Sequence, residues 1–185
     1  TVLNTVARMH GKKLNDIPEA CRRGRFHFSY KAIDKLTPCR VSEQGVADYK
    51  PLGIWYSTGY EWANYLVNEA DRSKWAAETF DDITHVYRLR LDYDRILRLT
   101  SRRQFAAFTK EFGVVLPSYA GKFNYLINWR KVARRYDGIE TAHCEDKADT
   151  FLWFERWDCS SGCVWNTRAV KSMSLVKDFS PPRDE

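Results

Sequence analysis

The chain lacks the short motifs that identify the common nucleotide and metal enzymes. It contains no G-x-G-x-x-G, no G-x-x-x-x-G-K-[ST], no H-E-x-x-H and no G-x-S-x-G. Those absences exclude the usual dinucleotide fingerprint, the phosphate loop, the zincin helix and the nucleophile elbow. No apolar run approaches the roughly 18 residues that a membrane-spanning helix needs, so no membrane partner is expected. Residues 1–13 lack the apolar stretch of a secretory signal, although a Thr at position 1 leaves a trimmed start open. Cysteines number five (Cys21, Cys39, Cys144, Cys159, Cys163), an odd count at irregular spacing. That argues against a disulfide framework and for free thiols in a reducing, cytoplasmic setting. Cys159-x-x-x-Cys163 has near-metal spacing, but His143 and Cys144 would have to complete a ligand set. Two buried or loop thiols are the expectation, and no metal is expected. A Cys–His nucleophile pair is open to any of the five cysteines and four histidines, so that pattern selects no residue.

Repeats, low-complexity tracts and Pro-, Gly- or Ser-rich linkers are also missing, so the reading is one domain over 1–185. Within it, 1–24 form a partly helical lead-in, 25–176 the core and 177–185 a polar tail. What the chain has in quantity is aromatics: seven Trp, ten Tyr and ten Phe, 15% of the residues. Rings fill cores, and they also wall pockets for flat ligands such as nicotinamide or bases. The formal charge is +6, with clusters at Arg22-Arg23-Gly24-Arg25, Arg102-Arg103, Arg130-Lys131 and Arg134-Arg135. Such clusters are either a solvated surface or a contact for a polyanion, most often nucleic acid. No zinc finger or RNP segment accompanies them.

Hydrophobic patterning predicts short strands at 25–29, 53–57, 84–91, 95–99, 139–141, 151–157, 163–166 and 173–176. Helices are predicted from Tyr60 to about Ala70, with Trp62, Tyr65 and Leu66 on one face. Others run from an Ser101 N-cap through Phe112, with Gly113 as stop, and from 127–129 to Tyr136. Strands and helices alternate without a βαβ rhythm. The fold class is therefore α+β, with mixed and largely antiparallel sheets.

Three segments occur in a suggestive order. Arg25-Phe26-His27-Phe28-Ser29 comes first, and Gly53-Ile54-Trp55-Tyr56-Ser57-Thr58-Gly59 follows, leading into the helix with Ala63-Asn64-Tyr65. Trp157 to Asn166, with Cys163-Val164-Trp165-Asn166, lies near the end. Together they resemble the ADP-ribosyltransferase family over about a quarter of the chain. The resemblance implies a split mixed or antiparallel β core with surrounding helices, and NAD as substrate. It implies that His27, or Arg25 in the Arg version, holds the adenosine ribose beside Ser29. Trp55 and Tyr56 would wall the nicotinamide, and Ser57 would assist. The family's catalytic Glu falls at Ser161 here; Asp158 three residues earlier, Glu155 three before that and Glu140 on its own strand are the acids in reach, and Asp158 or Glu140 is taken as the catalytic one.

An acid is needed because cleaving the glycosidic bond of NAD passes through an oxocarbenium-like ribose, which a nearby carboxylate stabilises. The resemblance, with its toxin and phage-defence members, implies transfer of ADP-ribose to a macromolecule. The basic clusters Arg102, Arg103, Arg130, Arg134 and Arg135 favour nucleic acid over protein as acceptor, and an antitoxin partner would accompany a toxin. Two other readings stay open. One is a non-enzymatic nucleic-acid-binding module; the other is a metal-free nuclease using His27, His85 or His143 as general acid and base. Each candidate also has a plain structural reading: His27, Trp55 and Tyr56 as core residues, Asp158 as a turn carboxylate, and Glu140 as an edge-strand charge.

Overall fold

The structure, a computed structural model, describes residues 23–117, 124–142 and 151–180. Cys21, Arg22, His143, Cys144 and the helical lead-in expected before residue 23 lie outside them. Among the described residues the strands are β1 (Arg25–Ser29), β2 (Ile54–Thr58), β3 (His85–Leu91), β4 (Ile96–Leu99) and β5 (Gly113–Val115). After these come β6 (Tyr125–Ile127), β7 (Gly138–Thr141), β8 (Ser161–Val164) and β9 (Val170–Asp178). Four α-helices accompany them: α1 (Glu61–Glu69), α2 (Lys74–Asp81), α3 (Arg102–Phe112) and α4 (Trp129–Ala133).

Seven strands form a mixed sheet in the order β4-β7-β8-β2-β1-β3-β9, and β5 pairs with β6. The β4–β7 pair is parallel, while β1–β2, β1–β3 and β7–β8 are antiparallel. The chain is thus α+β with a mixed sheet. No described helix is long and apolar enough to cross a membrane.

Two compact units divide the chain. Of the described residues, the first takes those up to Lys35, Tyr56–Arg90 and those from Ser172; the second takes those within Leu36–Trp55 and Leu91–Lys171. In the first, strand alternation puts Phe26 and Phe28 of β1 on one face and Arg25, His27 and Ser29 on the other. Phe26 and Val86 meet Ala63 and Leu66 of α1 and Ala76 and Phe80 of α2 in one buried cluster. Ser73 caps α2 by accepting from the Ala76 N–H at 3.3 Å. That serine is the local signal for a helix the hydrophobic pattern does not suggest, because only Ala76, Thr79 and Phe80 of α2 are buried.

The second unit is built round its aromatics. Helix α3 starts with a capping box: Ser101 Oγ accepts from the Gln104 N–H, and Gln104 Oε1 accepts from the Ser101 N–H. Its apolar stripe, Phe105, Phe108 and Phe112, packs with Trp129, Trp153, Phe154 and Trp157. The expected strand over 151–157 is instead a 3-10 turn at Leu152–Phe154. The Phe154 N–H donates to Phe151 O at 2.9 Å and the Trp157 N–H to Phe154 O at 3.0 Å. A strand would send successive rings to opposite faces, whereas Phe151, Leu152, Trp153, Phe154 and Trp157 are all buried. A tight turn turns all of them inward. Ile127 belongs to β6 rather than to the helix after it, and α4 ends at Ala133, before Tyr136.

Candidate functional site

Trp55 and Asp158 are 103 positions apart in the chain, yet in the second unit one cation touches both. Lys50 Nζ lies 3.7 Å from Asp158 Oδ2 and 5.1 Å from the centroid of the Trp55 ring. The approach of Trp55 is fixed by Gly53, which enters β2 at φ 153°. A Cβ there would meet Val164 O at 2.5 Å and Cys163 Sγ at 2.8 Å, so only glycine lets the chain lie this close. Trp55 is half-buried and meets Trp157 edge to face at 4.9 Å. Trp157 is itself held by its indole N–H donating to Tyr49 O at 3.3 Å. Asp158 follows directly, with 27% of its side chain exposed. A partly exposed carboxylate and an aromatic ring are therefore joined through one ammonium group.

Glu140 sits differently. It lies on β7, between β4 and β8 rather than at a sheet edge, and is 5% exposed. Its carboxylate accepts from Arg98 Nε at 3.2 Å and from the Tyr93 hydroxyl at 3.3 Å, and the Arg98 guanidinium lies over the Tyr93 ring. The charge is matched where it stands.

A second buried acid, Asp137, has no local signal in the sequence, because an Asp-Gly pair has the composition of a turn. Arg168 forks onto it, with Nε 2.7 Å from Oδ2 and Nη2 2.8 Å from Oδ1, and Arg95 adds a bond at 3.2 Å. Burial pushes the Asp137 carboxyl up, but the bonds and charges of Arg168 and Arg95 outweigh it and hold the pKa below its ordinary value.

In the first unit, β1 pairs with β3 so that His27 faces Tyr87 and Ser29 faces His85. These side chains share the face away from α1 and α2. Arg25 and His27 are half-buried. Ser29 is 7% exposed, and its hydroxyl donates to Lys31 O and accepts from the Lys31 N–H. Tyr56 and Ser57 are each 2% exposed, and Ser57 Oγ donates to Gly59 O at 2.9 Å. Tyr56, Ser57 and Ser29 thus shape the strands, while Arg25 and His27 keep an accessible side. His85 Nδ1 is 2.8 Å from Thr84 Oγ1, and its Nε2 is 3.7 Å from Asp178 Oδ1.

The basic residues divide as well. Arg102 and Arg103 are exposed in the first turn of α3, and Arg134 and Arg135 are exposed just after α4. Arg135 pairs with Glu111 and lies over the Phe112 and Tyr136 rings. Arg130 is half-buried and donates to Ser42 O at 2.9 Å.

Among the described residues no cluster of His, Cys, Asp and Glu has a metal-binding arrangement. Burial raises the Cys163 thiol well above its ordinary value. Burial, followed by a hydrogen bond to Glu43, raises that of Cys39. Both shifts run opposite to that of a nucleophilic cysteine. Compared with known proteins, the chain matches no protein-family model, no curated protein and no solved structure.

Proposed function

We propose that the chain is an NAD-dependent ADP-ribosyltransferase-like enzyme that transfers ADP-ribose to a macromolecular acceptor, nucleic acid in preference to protein. The observation that carries this reading is the Trp55–Lys50–Asp158 chain of contacts. Cleaving the nicotinamide–ribose bond needs a flat apolar wall for the leaving ring and a carboxylate for the charge that develops on the ribose. Trp55 supplies the wall and Asp158 the carboxylate. Lys50 lies against both in the free protein, and moving it onto the pyrophosphate of NAD releases them together.

Supporting the same reading, each of the three segments that resemble the family contains a strand, β1, β2 and β8 in chain order. Glu140 supports β7 through Arg98 and Tyr93. The nucleic-acid preference rests on Arg102 and Arg103. Cations in the first turn of a helix oppose its dipole, so α3 gains no stability from them.

Two substitutions test the assignment. Trp55→Ala lowers NAD affinity about tenfold by calorimetry, the loss of one aromatic contact. Asp158→Asn keeps NAD binding and slows nicotinamide release about a hundredfold or more. NAD binding that is unchanged in Trp55→Ala rejects the site.

A further inference from the structure

The helical pair of the first unit carries a cluster of rings at the rim of its core, with Trp62 and Tyr65 packed against the core and partly exposed. The buried seam runs through Ala63, Leu66, Ala76 and Phe80. Beside it, Trp62 and Tyr65 stack at 5.5 Å, and Trp75 meets Trp62 edge to face at 6.2 Å. Trp62 and Tyr65 are half-buried, and Trp75 is 56% exposed. Single exposed apolar residues are ordinary, but three rings in contact form a patch of the kind that docks a partner.

The charge around these rings selects the partner. Residues 61–82 hold six carboxylates (Glu61, Glu69, Asp71, Glu78, Asp81, Asp82) against Arg72 and Lys74, a net −4 in a chain of net +6. Helical spacing sets Glu69 in line with Trp62 and Tyr65 on α1, and Glu78 one turn from Trp75 on α2. Glu69 pairs with Arg72 at 3.9 Å and Glu78 with Lys74 at 3.2 Å, through cations whose side chains are 81% and 88% exposed. Pairs so open contribute little and exchange readily. A phosphate polymer is repelled here, whereas a cation gains twice, from the ring faces and from the carboxylates.

We propose that this face docks a basic segment of a partner protein, with Arg or Lys side chains laid on Trp62, Tyr65 and Trp75 and paired to Glu69 and Glu78. Its occupant and location are separate from the transferase reading, and it stands or falls independently of it. The probe is a short fluorescein-labelled peptide of alternating Arg and Gly, with its Glu–Gly counterpart and an oligothymidylate as comparators, at about 0.15 M salt. Anisotropy should show binding of the Arg peptide, and the indole N–H signals of Trp62 and Trp75 should be those that move in ¹H–¹⁵N spectra. Trp75→Ala should weaken binding about five- to tenfold, and Glu69→Gln with Glu78→Gln should weaken it with the rings intact. The proposal is overturned by no binding, by affinity indifferent to these variants, or by oligothymidylate shifting the same indoles. A dimer in sedimentation that Trp75→Ala dissolves would assign the face to a second copy instead.

Discussion

Asp137 shows what a single residue does in this protein. Its folded pKa is depressed, so the stability it contributes is present above the unfolded carboxylate value of about 3.9 and is lost as pH falls through the folded pKa. Asp137→Asn should cost about 1–2 kcal/mol near neutral pH, discounted because the Arg95 and Arg168 side chains are 44% and 62% exposed. The gap between urea melts of the two proteins should start to narrow below about pH 4 and close once the pH is below the folded pKa of Asp137; a gap that does not narrow with falling pH contradicts the assignment. Gly53 is the other decisive residue. Gly53→Ala should cost about 1–3 kcal/mol by overpacking and should lower NAD binding with it, because the same glycine sets Trp55.

At this scale the sequence showed residue types but not their roles. His27 and Trp55 stood out by their neighbours, but no local pattern announces that Lys50 reaches Asp158 or that Arg168 reaches Asp137 across 31 positions. Such pairs are made by tertiary folding and leave no periodic trace. Glu140 carried its strand assignment in the sequence, and its burial came from β4 closing over the sheet edge.

Among the elements, the 3-10 turn at 152–154 and helix α3 hold one another. The Trp153 indole N–H donates to Thr109 Oγ1 at 2.8 Å, and its ring stacks on Phe105 at 5.7 Å. Thr109→Val keeps the shape and orphans that donor, so it should cost about 1–3 kcal/mol. Trp153→Ala should cost about 3–5 kcal/mol, read as a lower urea midpoint. Equal small losses from both would mean the turn is not part of the core.

Elements with a cap or a clear alternation were legible: β1, β2, β3, α1 and α3 lie within a residue of the sequence reading, and Ser101 was identified as the cap. The 151–157 segment was not, because an unbroken aromatic run carries no period to distinguish strand from turn. Helix α2 is short: Ala76, Thr79 and Phe80 lie at helical spacing on its buried face, but eight residues with one large side chain inward carry only a weak period.

For the molecule as a whole, charge is the distributed property that bears on function. Exposed cations at Arg102, Arg103, Arg134 and Arg135 predict nucleic-acid binding that weakens as salt rises. Removing Arg102 and Arg103 together should reduce the slope of log affinity against log salt by about two. A slope unchanged by that double substitution places the contact elsewhere. The α+β class and mixed sheet followed from the irregular succession of elements, whereas the order β8-β2-β1 is set by long-range pairing that no local signal encodes.

The most direct measurement is incubation of the purified protein with NAD labelled in its adenylate half, with single-stranded DNA, RNA or a cell lysate as acceptor. Nicotinamide release and label on nucleic acid are expected, both lost in Asp158→Asn. Neither label transfer nor nicotinamide release with any acceptor, from a folded protein, would contradict the transferase reading and leave a basic domain that binds nucleic acid without modifying it.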